Sequence, residues 1–166
     1  MRLEPSRLAE LRRALILDSP SERAYDEITQ LLAATLAVPI AMVNLLDAER
    51  DWFKSCVGIL QSQSPAATSF CEVFFQTTRD LVVVEDTLLD PQTMANPLVA
   101  GPPFIRFYAA ARLAVRGETV GTLCAYDIRP RQVSADQLGH LRTLASAVVE
   151  LIRLRSATDE QPPGHL

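Results

Sequence analysis

Few side chains in this sequence have both the chemistry and the setting for a reaction. Three cysteines, Cys56, Cys71 and Cys124, stand 15 and 53 residues apart. Nucleophilic thiol chemistry would need Cys71 or Cys124 as a low-pKa thiolate beside the other sulfur. Their neighbours, Phe70 for one and Leu123 and Ala125 for the other, equally suit small buried hydrophobes. Arg106 and Tyr108 lie two apart in a predicted strand and so share a face, with Ile105, Phe107 and Ala109 on the other. Arg106 there can hold an anion through its guanidinium fork, or pair with Asp86 or Asp90 to pin a neighbouring segment. Asn44 interrupts an apolar run, so its burial demands hydrogen-bond partners, from the protein or from a ligand. Glu85, Asp86 and Asp90 could bind a cation or move protons, but turn capping explains them more simply. Ser69 would need a base to act as a nucleophile, and neither His140 nor His165 is placed to be one. With no Cys-x-x-Cys and no Cys/His cluster, a metal is not expected.

The elements that must position these residues follow from periodicity. In residues 5–17, Leu8, Leu11 and Leu15 mark one face of an amphipathic helix. Ser19-Pro20-Ser21-Glu22 reads as a capping box, with Ser19 as N-cap and Pro20 at the first helical position. The helix it opens carries Tyr25, Ile28, Leu32 and Leu36 and stops before Pro39. Residues 40–46 are apolar on both faces, as in a central strand, and 51–57 return as its hairpin partner. Residues 58–68 read as loop, 69–76 as a short helix and 81–84 as a short strand. Four prolines limit residues 88–103 to a helical turn or two. Residues 105–116 and 118–126 form two strands joined at Arg116-Gly117, and Ser134-Ala135-Asp136-Gln137 opens a long helix ending near Arg155. Residues 156–166 are polar and expected to be disordered. This order predicts an α+β domain, an antiparallel sheet with helices on one face and the loop-rich middle covering the other. Such a cover often encloses a small-molecule pocket.

Composition bounds the rest. The 166 residues, 48% of them hydrophobic, suit one packed domain rather than two or a disordered chain. The net charge is −4 and the arginines are scattered, which argues against a nucleic-acid partner. No signal peptide is visible, and the longest low-polarity stretch, residues 31–46, is too short for a bilayer. The expectation is a cytoplasmic protein with no membrane partner and no disulfides.

Specific runs then carry a resemblance. Residues 39–47 with Trp52-Phe53-Lys54-Ser55 and Val57-Gly58, Ser69-Phe70-Cys71, Asp90-Pro91 and Asn96-Pro97-Leu98-Val99 resemble GAF domains of bacterial sensory proteins. So do Gly101-Pro102-Pro103, Ile105-Arg106-Phe107-Tyr108-Ala109 and Gly121-Thr122-Leu123-Cys124, while Ser19-Pro20-Ser21-Glu22-Arg23 with Asp26 resembles the helical lead-in to this version of the domain. The similarity spans residues 8–155 and implies a single domain over 1–155, with a lead-in at 1–37 and a C-terminal helix at 134–155. It implies a central antiparallel sheet of five or six strands, with the N- and C-terminal helices on one face and the pocket on the other. It further implies sensing or signalling, commonly beside histidine kinase or cyclic-dinucleotide enzymes. Phe104 stands where relatives often have glycine, and Ala110-Ala111-Arg112 replaces a common Gly-Ala-Pro. No Cys-His dipeptide for a tetrapyrrole and no cyclic-nucleotide signature is present, so no cofactor is expected.

The expected function is that of a non-enzymatic sensory module that binds a small ligand or relays a signal by helix-mediated dimerisation. Its pocket candidates are Asn44, Ser69, Cys71, Asp86, Asp90, Phe104, Arg106, Tyr108 and Cys124. In the last helix Leu138, Leu141, Ala145, Val148 and Ile152 form a heptad-like seam. With Leu8, Leu11 and Leu15, the residues Leu141, Val148 and Ile152 are the candidates for a homodimer interface. A separate histidine kinase or cyclic-dinucleotide enzyme is the expected output partner. The alternatives are a thiol-dependent reductase of free methionine sulfoxide, and a structural dimerisation module whose pocket is filled by Phe104 and Tyr108.

Overall fold

A computed structural model describes residues 1–159. The N-terminal helices are α1 (Pro5–Arg13) and α2 (Arg23–Leu36), followed by β1 (Ile40–Leu46), β2 (Arg50–Val57) and a short β3 (Gln63–Pro65). A 3₁₀ helix (Phe70–Phe75), β4 (Leu81–Val84) and a single helical turn, α3 (Pro97–Ala100), make up the middle of the chain. β5 (Phe107–Val115), β6 (Glu118–Asp127) and α4 (Ala135–Asp159) complete it. The six strands form one sheet in the order β3-β2-β1-β6-β5-β4, all neighbours antiparallel. This is the expected α+β architecture; β3 is the strand that the sequence does not announce.

Strand alternation sorts the core into two layers. Ala41, Val43 and Leu45 of β1, Phe107, Ala109 and Leu113 of β5, and Leu123 and Ala125 of β6 pack under the helices. Ile40, Met42 and Leu46, with Tyr108, Ala110, Cys124 and Tyr126, face the opposite cover. Arg116 and Gly117 both take positive φ, the backbone that a tight two-residue hairpin requires, and the β5–β6 turn closes there. α4 starts as expected: Gln137 N donates to Ser134 Oγ (3.1 Å) and Ser134 N to Gln137 Oε1 (3.0 Å), a reciprocal capping box. It runs on past Arg155, so residues 156–159 are helical rather than part of a tail, and the rest of the expected tail lies outside the described residues.

The start of α2 departs from expectation. Its N-cap is Glu22, not Ser19. Ser19 Oγ instead donates to Ile16 O and accepts from Lys54 Nζ, while the Glu22 carboxylate pairs with Lys54 and Arg155. A tertiary cation outcompeted the local cap.

The dimer seam is also corrected. Leu141, Val148 and Ile152 are fully buried in the chain's own core together with Leu11. These side chains cover the sheet, each contributing about 1.5–3 kcal/mol of burial, and so are not the surface that a second subunit would meet. Leu8 is half-buried, and Leu15 falls beyond the end of α1, 65% exposed with φ 49°. Among the described residues, no helix is long and apolar enough to cross a membrane.

Candidate functional site

Between the sheet and its cover lies a cavity of about 610 Å³. Its floor is Ile40, Met42 and Asn44 of β1, and its cover includes Phe70 and Leu98. That volume suits a small organic molecule. The polar end of the wall is built from Asn44, Asp51 and Ser69. Asn44 Nδ2 donates to Asp51 Oδ2 (3.0 Å) and to Cys71 Sγ (3.5 Å), and Ser69 Oγ donates to the same Oδ2. Since a carboxylate only accepts, Asp51 fixes which way the Asn44 amide points. Asn44 Oδ1 is left buried without a partner.

Behind this wall Asp51 is held from the N-terminus. Arg2 Nη2 donates to Asp51 Oδ1 (2.9 Å), Nε to Glu72 Oε2 (2.8 Å) and Nη1 to Asp47 O (2.7 Å). Arg7 in turn donates to Arg2 O, and both guanidiniums lie over the Phe75 ring. The segment before α1 is thus tied to β2 and to the 3₁₀ helix that covers the sheet. Neither Arg2 nor Asp51 stood out in the sequence. Asp51 carried a faint signal, an acid beside Trp52 and Phe53 at the start of a strand, paired with Leu46 of β1; Arg2 carried none.

The two candidate cysteines come together behind the cavity wall, with Cys71 against Asn44. Both are fully buried and neither lines the cavity. Cys71 Sγ sits 3.1 Å from Tyr108 Oη and 3.0 Å from Thr122 Oγ1, and Cys124 is a hydrogen-bond neighbour. Burial opposes the Cys71 thiolate, but hydrogen bonds from Cys124, Thr122 and Tyr108 outweigh it and set the thiol below its ordinary value. Burial and the adjacent Cys71 push Cys124 well above. Cys71 is therefore the more acidic partner, fully buried beside the cluster of tilted and edge-on rings of Phe70, Tyr108 and Tyr126.

The remaining candidates separate from the cavity. Arg106 does not line it; its Nη1 donates to Val99 O and Ile105 O, pinning α3 by a carbonyl. Asp86 and Asp90 accept from the backbone of Leu88 (3.1 Å) and Gln92 (2.8 Å), so they cap turns rather than form a carboxylate pair. Asp90 and Tyr108 instead border a second cleft of about 470 Å³, which Ser69 and Phe70 also line. Phe104 does not fill the cavity: it is 47% exposed, at φ 60°, with its ring 5.8 Å from the Arg106 guanidinium. That positive φ accounts for the glycine often found there in GAF domains. No group of three His, Cys, Asp or Glu side chains able to hold a metal occurs among the described residues.

This geometry can be set beside known proteins. Over its full alignment the chain is 34% identical to a cyclic di-GMP phosphodiesterase of Pseudomonas aeruginosa, covering 97% of this chain but only 28% of that protein. The GAF domain of the Acinetobacter phosphoenolpyruvate-protein phosphotransferase superposes with a TM-score of 0.68 at 18% identity, covering 98% of this chain and 100% of that one. A free methionine-R-sulfoxide reductase of Neisseria meningitidis, solved with its substrate, gives a TM-score of 0.64 at 15% identity, covering 90% and 89%. At such identities the two structures speak to the fold alone. The GAF domain sequence profile matches residues 20–152, and the chain belongs to the GAF domain family.

Proposed function

We propose that this domain is a regulatory input module, binding a small molecule in the cavity and passing its occupancy to a signalling partner rather than catalysing a reaction. One observation carries the reading: Asp51, on the cavity wall, is also the anchor of Arg2. A ligand that disturbs Asn44, Asp51 or Ser69 therefore acts on the docking of the N-terminal segment without any further intermediary. The similarity to a cyclic di-GMP phosphodiesterase supports an output in cyclic-dinucleotide signalling, with a histidine kinase as the other class of partner. Burial of Cys71 and Cys124 behind the cavity wall supports a non-catalytic role, because neither thiol lines the space a substrate would occupy. A homodimer would have to use surfaces other than the seam of α4.

Native mass spectrometry of protein purified gently from cell lysate tests this reading and reports the oligomeric state as well. The expected result is a retained small molecule that Leu98→Trp, which fills the cavity from its cover, displaces. A preparation without bound molecule that turns over free methionine sulfoxide, and loses turnover on Cys71→Ser or Cys124→Ser, would overturn it in favour of the reductase.

A further inference from the structure

Four hydrogen-bonding groups from three strands converge on Cys71 Sγ. Asn44 Nδ2 of β1 donates to it at 3.5 Å, and Tyr108 Oη of β5 lies 3.1 Å away. Thr122 Oγ1 of β6 lies 3.0 Å away, and Cys124 of the same strand is the fourth neighbour. The Thr122 hydroxyl also reaches Cys124 Sγ at 3.7 Å, so it touches both sulfurs. A neutral thiol is a weak acceptor, whereas a thiolate gains from every donor aimed at it. The surroundings of Cys71 therefore suit the anion, with a second thiol beside it.

Burial alone makes a cysteine inert, but the shell over this one is a single side chain thick. Asn44 borders the large cavity and Tyr108 the second cleft, and both touch Cys71 Sγ. Ser69 and Phe70, the residues before it in the chain, line both spaces. A reagent near the size of water needs only one of these side chains to turn, while a bulky one stays out. Cys71 belongs to the 3₁₀ helix of the cover and Cys124 to the sheet, so a bond between them joins the two layers.

We propose that Cys71 and Cys124 are a redox-sensitive pair, which hydrogen peroxide or a small alkyl hydroperoxide converts to a disulfide linking cover to sheet. This is a second input, independent of the ligand reading of the cavity. The Cys71 thiolate attacks one peroxide oxygen: the S–O bond forms and the O–O bond breaks. The departing oxygen takes up the proton that Cys71 released and leaves as water or alcohol. With Cys71 now an uncharged sulfenic acid, the neighbouring charge that opposed ionisation of Cys124 is gone. The Cys124 sulfur then attacks the Cys71 sulfur, and its proton leaves with the Cys71 oxygen as water. Two thiols together give up two electrons, and one peroxide is reduced. Asn44 Nδ2 loses its thiolate acceptor, so the oxidation is felt at the wall that Asn44 shares with Asp51.

The test exposes the folded full chain to a small excess of hydrogen peroxide at neutral pH. Remaining thiols are then blocked with N-ethylmaleimide in denaturant and the peptides read by mass spectrometry. The expected product is a Cys71–Cys124 crosslink, lighter by the two thiol hydrogens and reversed by dithiothreitol, while the less buried Cys56 stays free to be blocked. Cys124→Ser, with an unchanged fold by circular dichroism, should stop at a Cys71 sulfenic acid that dimedone traps, and Cys56→Ser should leave the crosslink intact. The wild-type result stands without either variant. In NMR the Asn44 side-chain amide signals should shift on oxidation and return on reduction. Both thiols still free after peroxide, or Cys56 oxidised ahead of them, would overturn the proposal. A sulfinic acid on Cys71 of the wild type, with no crosslink, would overturn the pairing with Cys124. Asn44 signals that ignore the crosslink would overturn the coupling to the wall. The sensory reading is judged separately, by the molecule retained from lysate.

Discussion

Arg2 and Asp51 meet in a sealed ion pair, 2.9 Å between Nη2 and Oδ1, with side chains only 6% and 4% exposed. Removing one member of such a pair leaves the other charge without compensation in a poorly solvated site. Arg2→Met is therefore expected to cost about 3–5 kcal/mol if the N-terminal segment stays docked, and less if it lets go. Hydrogen exchange distinguishes these outcomes, since undocking would release the amides of α1 while the sheet stays protected. In the double variant Arg2→Met/Asp51→Asn much of the loss should return, because the charge left without its partner, Glu72, is half-exposed rather than buried. A double-mutant cycle by urea denaturation that finds the two changes additive would remove the pair from the account of the fold.

Two glycines hold the backbone spacing on which the wall depends. A Cβ on Gly121 would stand 2.3 Å from Asn44 O, and one on Gly58, at φ 91°, would stand 2.0 Å from Pro39 O. In both cases the obstacle is backbone, which cannot rotate aside. Gly121→Ala should force β6 from β1 beside Asn44, and Gly58→Ala should strain the exit of β2, each at a cost of about 1–3 kcal/mol or more. Gly117→Ala is the control, since its added Cβ meets nothing and only the φ of 80° opposes it. Thermal unfolding of the three variants should place Gly117→Ala nearest to the wild type.

How much of this was legible follows from where each signal resides. Strand alternation and the Ser134 capping box are local, and both appear in the structure where the sequence places them. The Ser19 box is equally local in form, yet Lys54, 35 residues away, takes its hydroxyl. The heptad-like seam of α4 was real, but spacing cannot say whether a stripe meets a sheet of the same chain or a second subunit. Asn44 was legible because a polar residue in an apolar strand demands an explanation. Arg2 was not, because an arginine in a polar leader reads as a solvated charge until the fold brings Asp51 and Glu72 to it.

Cys71 and Cys124 should behave as sealed thiols. Both are fully buried, whereas Cys56 is only partly covered. Burial pushes the Cys56 thiol up to about 11, so even this sulfur reacts slowly at neutral pH. Iodoacetamide at pH 8 is expected to modify Cys56 slowly and the other two only after denaturant is added, as read by peptide mass spectrometry. Prompt labelling of Cys71 in the folded protein would show that the aromatic cover opens, and would restore the reductase as a live possibility.

Alkaline pH should destabilise the fold through groups held neutral. Tyr25 is buried beneath Lys54, whose Nζ lies 5.2 Å from the ring centroid, and its hydroxyl has no hydrogen-bond partner. Burial, with a smaller contribution from Glu22, pushes its phenol up to about 12. The unfolded chain ionises such a phenol near pH 10, so it releases a proton that the folded state still holds. The stability contribution is fully present below about pH 10 and is lost as the pH rises through about 12. Cys56 acts in the same direction from about pH 9. Tyr25→Phe keeps the ring beneath Lys54 and deletes only the unpartnered hydroxyl, so at pH 7 it should be neutral or slightly stabilising. Between pH 10 and 12 the wild type should lose roughly 1–3 kcal/mol relative to Tyr25→Phe, read from urea midpoints across that range. Tyr108 and Tyr126, also raised by burial, remain in both proteins and cancel from the difference. Parallel pH profiles for the two proteins would mean that Tyr25 ionises as freely in the fold as in the unfolded chain, contrary to its sealed position under Lys54.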